Sequence, residues 1–354
     1  METETNTPPE FNSFPDFMAV LDDQDLIVSF ITQSSCLVIF AIIVEMIFPI
    51  HRRLRLESLS ETFDFLGKKV NKAENKHHET SLAGMLLPVL IVLLFFMLAL
   101  IFEVIAGAVD VISFLALIVL LNYHDIHHQA GLLTKLLEGE DKKRARNLLS
   151  MLCLRDSQNL SVMGMCKAGC ENITSKMQEN FAVICWFYAA GFKGALVMKL
   201  VCVLARTYNM KLEQNRVFGL SSFRIRELMI FIPSVLYAVS VCLFNLALSV
   251  RTVMTGIVRG AKSYHSAAGG MVLGAVGIVT DIQLGGPRYY GERFVRYDGL
   301  GGNRNPEPRD LMLVLRRQRW ATMAFVLCCL CAETYGFTHP PVAPEIPEAI
   351  EQAI

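Results

Sequence analysis

The chain has 354 residues, of which 53% are hydrophobic and 19% charged, with a mean hydropathy of +0.41. So apolar and sparsely charged a composition excludes an ordinary soluble domain of this length and points to an integral membrane protein. Basic and acidic residues balance at 33 each, so the total gives no sign of a nucleic-acid partner, and the placement of charge becomes the informative quantity.

Residues 1–25 hold seven acids, no Lys or Arg, and Pro8, Pro9 and Pro15. They read as a flexible acidic tail, and they lack the basic start of a signal peptide. A membrane domain follows over 26–337, and a Pro-rich tail over 338–354. Crossing a bilayer by helix takes about 20 apolar residues. Leu26–Phe48, Leu82–Phe102, Val104–Leu121, Leu228–Val250 and Trp320–Phe337 meet that requirement. A sixth run, Phe181–Ala205, is interrupted by Lys193 and Lys199. With Gly191 and Gly194 flanking Lys193, it reads either as a crossing or as two half-helices. The predicted fold is therefore an all-α polytopic helical bundle of one domain, with about six transmembrane helices and cytoplasmic helical loops. Trp320 and Tyr123, near helix ends, read as interface anchors.

Orientation follows the Lys and Arg residues of the loops. His51–Ser81 carries seven and Asn122–Asn180 eight, and Arg251–Arg319 is rich in them, whereas Glu103–Asp110 carries none. Six crossings put these three basic segments in the cytoplasm and both tails outside. Arg206–Glu227, with five basic residues, then lies on the wrong side; a re-entrant sixth run would bring it back.

Between the spans, Leu133–Leu154 has the spacing of an amphipathic helix, and the Gly- and Ala-rich Ser263–Ile282 suits close helix packing. Leu284–Asp310 holds six glycines, three prolines and three tyrosines, and is expected to be neither helix nor strand. Gly-rich backbone can aim N–H groups at an anion, and Arg can clamp phosphate; the plainer reading is a surface loop closing that face. His124, His127 and His128 share a helical face that could hold a metal or an anion, or simply cap a helix at the interface. Glu45, inside the first span, is expected to pair with Arg52 or Arg53, and Lys193 and Lys199 are candidate intramembrane functional groups. Most of the ten cysteines lie in apolar runs and act as small hydrophobes, so neither a disulfide framework nor a metal site is inferred. No phosphate-binding P-loop, nucleophile elbow, HExxH or dinucleotide fingerprint occurs.

The stretch Leu284–Glu292, LGGPRYYGE, followed by a helix with Arg316 and Arg317, resembles the C-terminal signature of the CobD/CbiB family of cobalamin biosynthesis. Glu138-Gly139 with Ala145-Arg146, Arg155-Asp156, Glu171, Phe218-Gly219, Arg224 and Ile232-Pro233 fall in the family's order, and the likeness covers roughly residues 37–335. The resemblance implies a polytopic protein of the bacterial inner membrane that attaches an aminopropanol or aminopropanol-phosphate arm to a corrin carboxylate by ATP-dependent amide formation. ATP and Mg²⁺ would be required, a corrinoid would be the substrate, and the bilayer and other cobalamin-pathway proteins would be the partners. By the same resemblance Arg155, Asp156 and Glu171 are the catalytic candidates, and Gly285, Gly286, Pro287, Tyr290 and Gly291 the substrate-binding ones. Several polar motifs depart from the family pattern. Counted from Glu171, the E-S-x-x-E-N-x-x-D stretch becomes Ser175, Lys176 and Glu179; Cys202, Val203 and Ala205 replace N-T-x-D; and Ser266, Ala267, Ala268 and Gly270 replace S-P-N-x-G. These losses also resemble the AmpE proteins, which share the fold without much of the chemistry, so a non-catalytic regulatory or sensory protein is the alternative. A small-solute transporter, resting on Lys193, is a third reading.

Overall fold

In hydrocarbon a backbone must satisfy its own hydrogen bonds, so apolar runs become helices. The computed structural model describes residues 33–72, 76–106, 109–245, 250–290 and 293–338. Both expected tails and Gly291 lie outside the described residues, apart from Thr338, where the last helix ends. Helix α1 spans Ser34–Ile47; two 3-10 turns, Arg52–Leu54 and Leu56–Leu59, lead into α2, Ser60–Val70. Then come α3 (His77–Ala106), α4 (Val109–Leu120), α5 (Tyr123–Glu138) and α6 (Lys142–Leu152). Among the described residues, four stretches are long and apolar enough to cross a membrane: His77–Ile105, Asp110–Glu138, Val162–Thr207 and Gly219–Leu243. They mark the chain as a membrane protein. Helix α3 exposes Leu86, Leu90, Leu94 and Leu98, as a lipid-facing helix does.

The core is built on α7, Val162–Thr207. Its continuity breaks at Ala190 (φ −147°, ψ 22°) and Gly191 (φ 64°, ψ −160°), the latter a conformation essentially confined to glycine. The chain reverses there: Arg206, near the end of the second limb, pairs with Glu179 of the first. The reversal lies inside the weak run Phe181–Ala205, which is thus two antiparallel limbs. Lys193, just past the turn, pairs with Glu103 near the end of α3 at 2.7 Å. Arg206 and Glu179 therefore share one side of the molecule, which returns the basic Arg206–Glu227 segment to the side of the other basic loops. That is a correction to the six-crossing arrangement, which placed it opposite.

Helix α8 (Gly219–Leu243) packs on α7; α9 (Val250–Ser263) and α10 (Ala267–Val279) form a hairpin so close that Gly260 and Gly270 meet backbone to backbone. The chain is mostly helical, as expected, but Leu284–Asp310, expected to be neither helix nor strand, contributes to short strands. Four short strands follow: β1 (Gln283–Gly285), β2 (Arg288–Tyr290), β3 (Arg293–Val295) and β4 (Gly299–Gly301). β1 pairs with β4 and β2 with β3, both antiparallel, as one hairpin nested in another. Gly285 (φ 76°) and Gly286 (φ 89°) supply the left-handed turn that lets β1 lead into β2. Helix α11, Asp310–Thr338, closes the bundle, and the expected span Trp320–Phe337 is its second half.

Three further expectations are corrected. Leu133–Leu154 is two helices, because Glu140 takes a positive φ and Asp141 caps α6 by accepting from the Arg144 N–H. Tyr123 is 3% exposed, packed in the core rather than anchored at an interface. Glu45 pairs with Arg55 at 2.7 Å and accepts the His124 N–H at 3.0 Å, so its partner lies beyond the two arginines nearest in sequence.

Candidate functional site

On the side of the basic loops, α2, α5, α7, α8 and the β-hairpins surround a cleft of about 920 Å³. Eight Lys or Arg side chains line it against five Asp or Glu, so the cleft favours anions. At its base stands Glu171 of α7. Its carboxylate accepts the Gly285 N–H at 2.8 Å and two bonds from Arg288, at 2.7 and 3.0 Å. Arg155 approaches the same carboxylate at 3.6 Å. The glycine turn does aim an N–H at an anion, and that anion is the protein's own Glu171. The Gly286 N–H is likewise used, donated to the Asp298 carbonyl at 3.1 Å.

The structure thus brings Arg155, Glu171 and the loop together. Asp156 joins them through its backbone, whose N–H donates to the Tyr289 carbonyl at 3.1 Å. Its carboxylate turns to its own loop, accepting from the Gln158 N–H at 2.9 Å. Tyr290 lines the cleft, where its hydroxyl meets Lys211 Nζ at 3.2 Å. Pro287 sits between the Gly286 turn and β2. The Arg155 side chain is 9% exposed, and its Nε and Nη1 have no hydrogen-bond acceptor. Buried guanidinium donors left open in a basic cleft suit a phosphate or carboxylate of a ligand.

Several cleft residues were not among the site residues that the resemblance implied. Glu179 is held by Arg206 and, at 3.5 Å, by Arg226; Arg226 also meets Glu227, which accepts from Ser266 at 2.7 Å. Glu57 pairs with Lys199 at 2.7 Å; burial opposes its charge, but Lys199 outweighs that and holds its carboxyl below the usual range. Lys199 is therefore a structural partner, as is Lys193. Glu179 stands directly before Asn180, a Glu-Asn step that counting from Glu171 passed over. Asn180 is fully buried with neither side-chain polar atom bonded. Arg288 was in view within LGGPRYYGE, but its partner Glu171 lies 117 residues away, so no local pattern signalled the pair.

Cys153 lines the cleft, but burial, reinforced by Glu171, pushes its thiol up to about 11, which disfavours a thiolate nucleophile. His124 is tied to α1, its ring Nδ1 lying 3.1 Å from the Met46 carbonyl. No group of three or more His, Cys, Asp or Glu able to hold a metal occurs among the described residues.

A family model described as CobD/Cbib protein matches residues 38–317. Among curated proteins, cobalamin biosynthesis protein CobD of Rhodobacter capsulatus is 29% identical over 215 residues, covering 59% of this chain and 67% of that one. The protein of the same name from Mycobacterium tuberculosis is 28% identical over 183 residues (51% and 58%), and that of Clostridium perfringens 26% over 172 (47% and 54%). No solved structure matches. The matches favour the cobalamin side of the resemblance over the AmpE-like side, and with the match spanning both Glu171 and the loop it binds, the chain belongs to the CobD/Cbib family.

Proposed function

We propose that this chain is the multi-pass inner-membrane protein that attaches an aminopropanol or aminopropanol-phosphate arm to adenosylcobyric acid by ATP-dependent amide formation, or that assists that step. The observation that carries the reading is the anion-favouring cleft, built by residues within the family match and centred on the Glu171–loop contact. A phosphate-bearing arm and ATP are anionic, and a lining with more basic than acidic side chains favours them.

The roles divide by geometry. Arg155, with open donors, receives an anionic group of a substrate. Glu171 neutralises Arg288 and holds the glycine turn, so it is a positioning residue for the loop. Arg206 and Arg226 hold Glu179 and join the limbs of α7 to α8. Arg155, whose Nε and Nη1 have no hydrogen-bond acceptor although Glu171 lies 3.6 Å away, is the residue that would meet an ATP phosphate. Mg²⁺ finds no ready cage, because Glu57, Asp125, Glu171 and Glu179 are each paired with a lysine or arginine.

The test is complementation of a strain lacking adenosylcobinamide-phosphate synthase, scored as growth that depends on corrinoid synthesis. The wild-type chain restores growth, and Glu171→Ala abolishes it without lowering the amount of protein in the membrane. Failure of the wild type, expressed and inserted, counts against the reading.

A further inference from the structure

One wall of the cleft is aromatic. The rings of Phe223 and His265 stack with centroids 5.6 Å apart and planes 15° apart. Tyr264 leans on His265 at 5.2 Å and on Tyr297 at 4.5 Å, and the Tyr297 hydroxyl meets His265 Nδ1 at 3.1 Å. In this ladder Tyr297 is buried, Tyr264 and Phe223 half-buried and His265 exposed, and Phe223, Tyr264 and His265 all line the cleft. An aromatic cluster serving only the core would bury its rings instead of opening toward a cavity. The ladder leads directly to the cationic base. Arg288 lies over the Tyr264 and Tyr297 rings and donates to the Tyr264 hydroxyl at 3.0 Å, while its guanidinium holds Glu171, beside Arg155.

We infer that the Phe223–His265 stack seats the base of a nucleotide whose phosphates reach toward Arg155, an assignment that rests on the proposed ATP-dependent function. A flat aromatic surface followed by open cationic donors matches the order of a nucleotide, base first and phosphates after. The two rings overlie one another in an offset stack, so the flat surface on offer is that of a single aromatic ring. A corrin carries substituents around its rim and on both faces, so it gains less from so small a flat surface.

The test uses the full-length protein in detergent micelles, with trinitrophenyl-ATP fluorescence for the nucleotide and displacement by inorganic pyrophosphate or cobyric acid. Phe223→Ala and His265→Ala should each weaken ATP binding roughly tenfold, the scale of one lost base stack, with pyrophosphate affinity changed less than about twofold. His265→Phe, which keeps a ring, should retain ATP binding. Arg155→Ala should weaken ATP and pyrophosphate alike. Unchanged ATP affinity in both alanine variants overturns the inference. So does equal loss of pyrophosphate, which would make the rings structural, and so does selective loss of cobyric acid, which would give the wall to the corrin. A wild-type protein that binds no ATP removes the ATP-dependent function itself, a result distinct from the other three.

Discussion

At the scale of single residues, the buried charges of this protein come as pairs, because an unpaired one in a low-dielectric interior is costly. Asp310 shows the energetic consequence. It is 1% exposed and accepts two 2.8 Å bonds from Arg304 as well as the Glu307 N–H at 2.7 Å. Burial opposes its ionisation, but Arg304, the Glu307 N–H and Arg309 together outweigh that and hold its carboxyl below the usual 3.8. A carboxyl depressed in the folded state stabilises above its unfolded pKa, and that contribution is lost as pH falls through the folded value. Asp310→Asn should therefore lower stability by about 1–2 kcal/mol at pH 7, with the difference closing at pH values below the folded pKa. Thermal midpoints of the solubilised variants across that range decide it; a gap unchanged at low pH would mean the ion pair is not its source. At this scale Arg155, Glu171 and the glycine loop were legible in the sequence. Arg288 as the partner of Glu171 was not, since 117 residues separate the two.

At the scale of elements, the reversal in α7 decides how the bundle is built. Gly191 adopts φ 64° and ψ −160°, and no atom lies within 4 Å of where a Cβ would stand. Any cost of adding a side chain there is thus a backbone cost, of about 1–3 kcal/mol. Gly191→Ala should lower the thermal midpoint of the purified protein. Gly191→Asn should not rescue it, because the asparagine preference is for ψ near +47° and not for this region. An alanine variant as stable as the wild type would show that the chain can turn here by other means. The Lys-interrupted run and its glycines announced a break, yet apolar content alone could not say whether the limbs continued or folded back. Hydropathy likewise could not reveal the short strands, whose pairing depends on backbone angles available at Gly285 and Gly286.

For the whole molecule, that hairpin settles which loops share a side. Arg206–Glu227 joins the cleft through Arg206, Lys211 and Arg226, alongside Arg155 and Lys176. Reporter fusions after Lys69, after Arg146 and after Lys211 should therefore all report the cytoplasm. A fusion after Lys211 reporting the opposite side would contradict the antiparallel limbs of α7. Among the described residues four stretches are long and apolar enough to cross, and the shorter apolar helices Ser34–Ile47 and Ala267–Val279 accompany them.

The membrane character and the positions of the apolar runs were determined by the sequence itself, because hydropathy is a local property of the chain, whereas the grouping of Arg155, Glu171 and the glycine loop was implied by the family resemblance. The tertiary structure alone decided what those segments do to one another: that Glu171 supplies the anion for the glycine turn, that Arg206 returns to Glu179, and that Phe223 meets His265. Each is a contact between distant residues, set by how helices pack, and no local pattern encodes a partner 27 to 117 positions away.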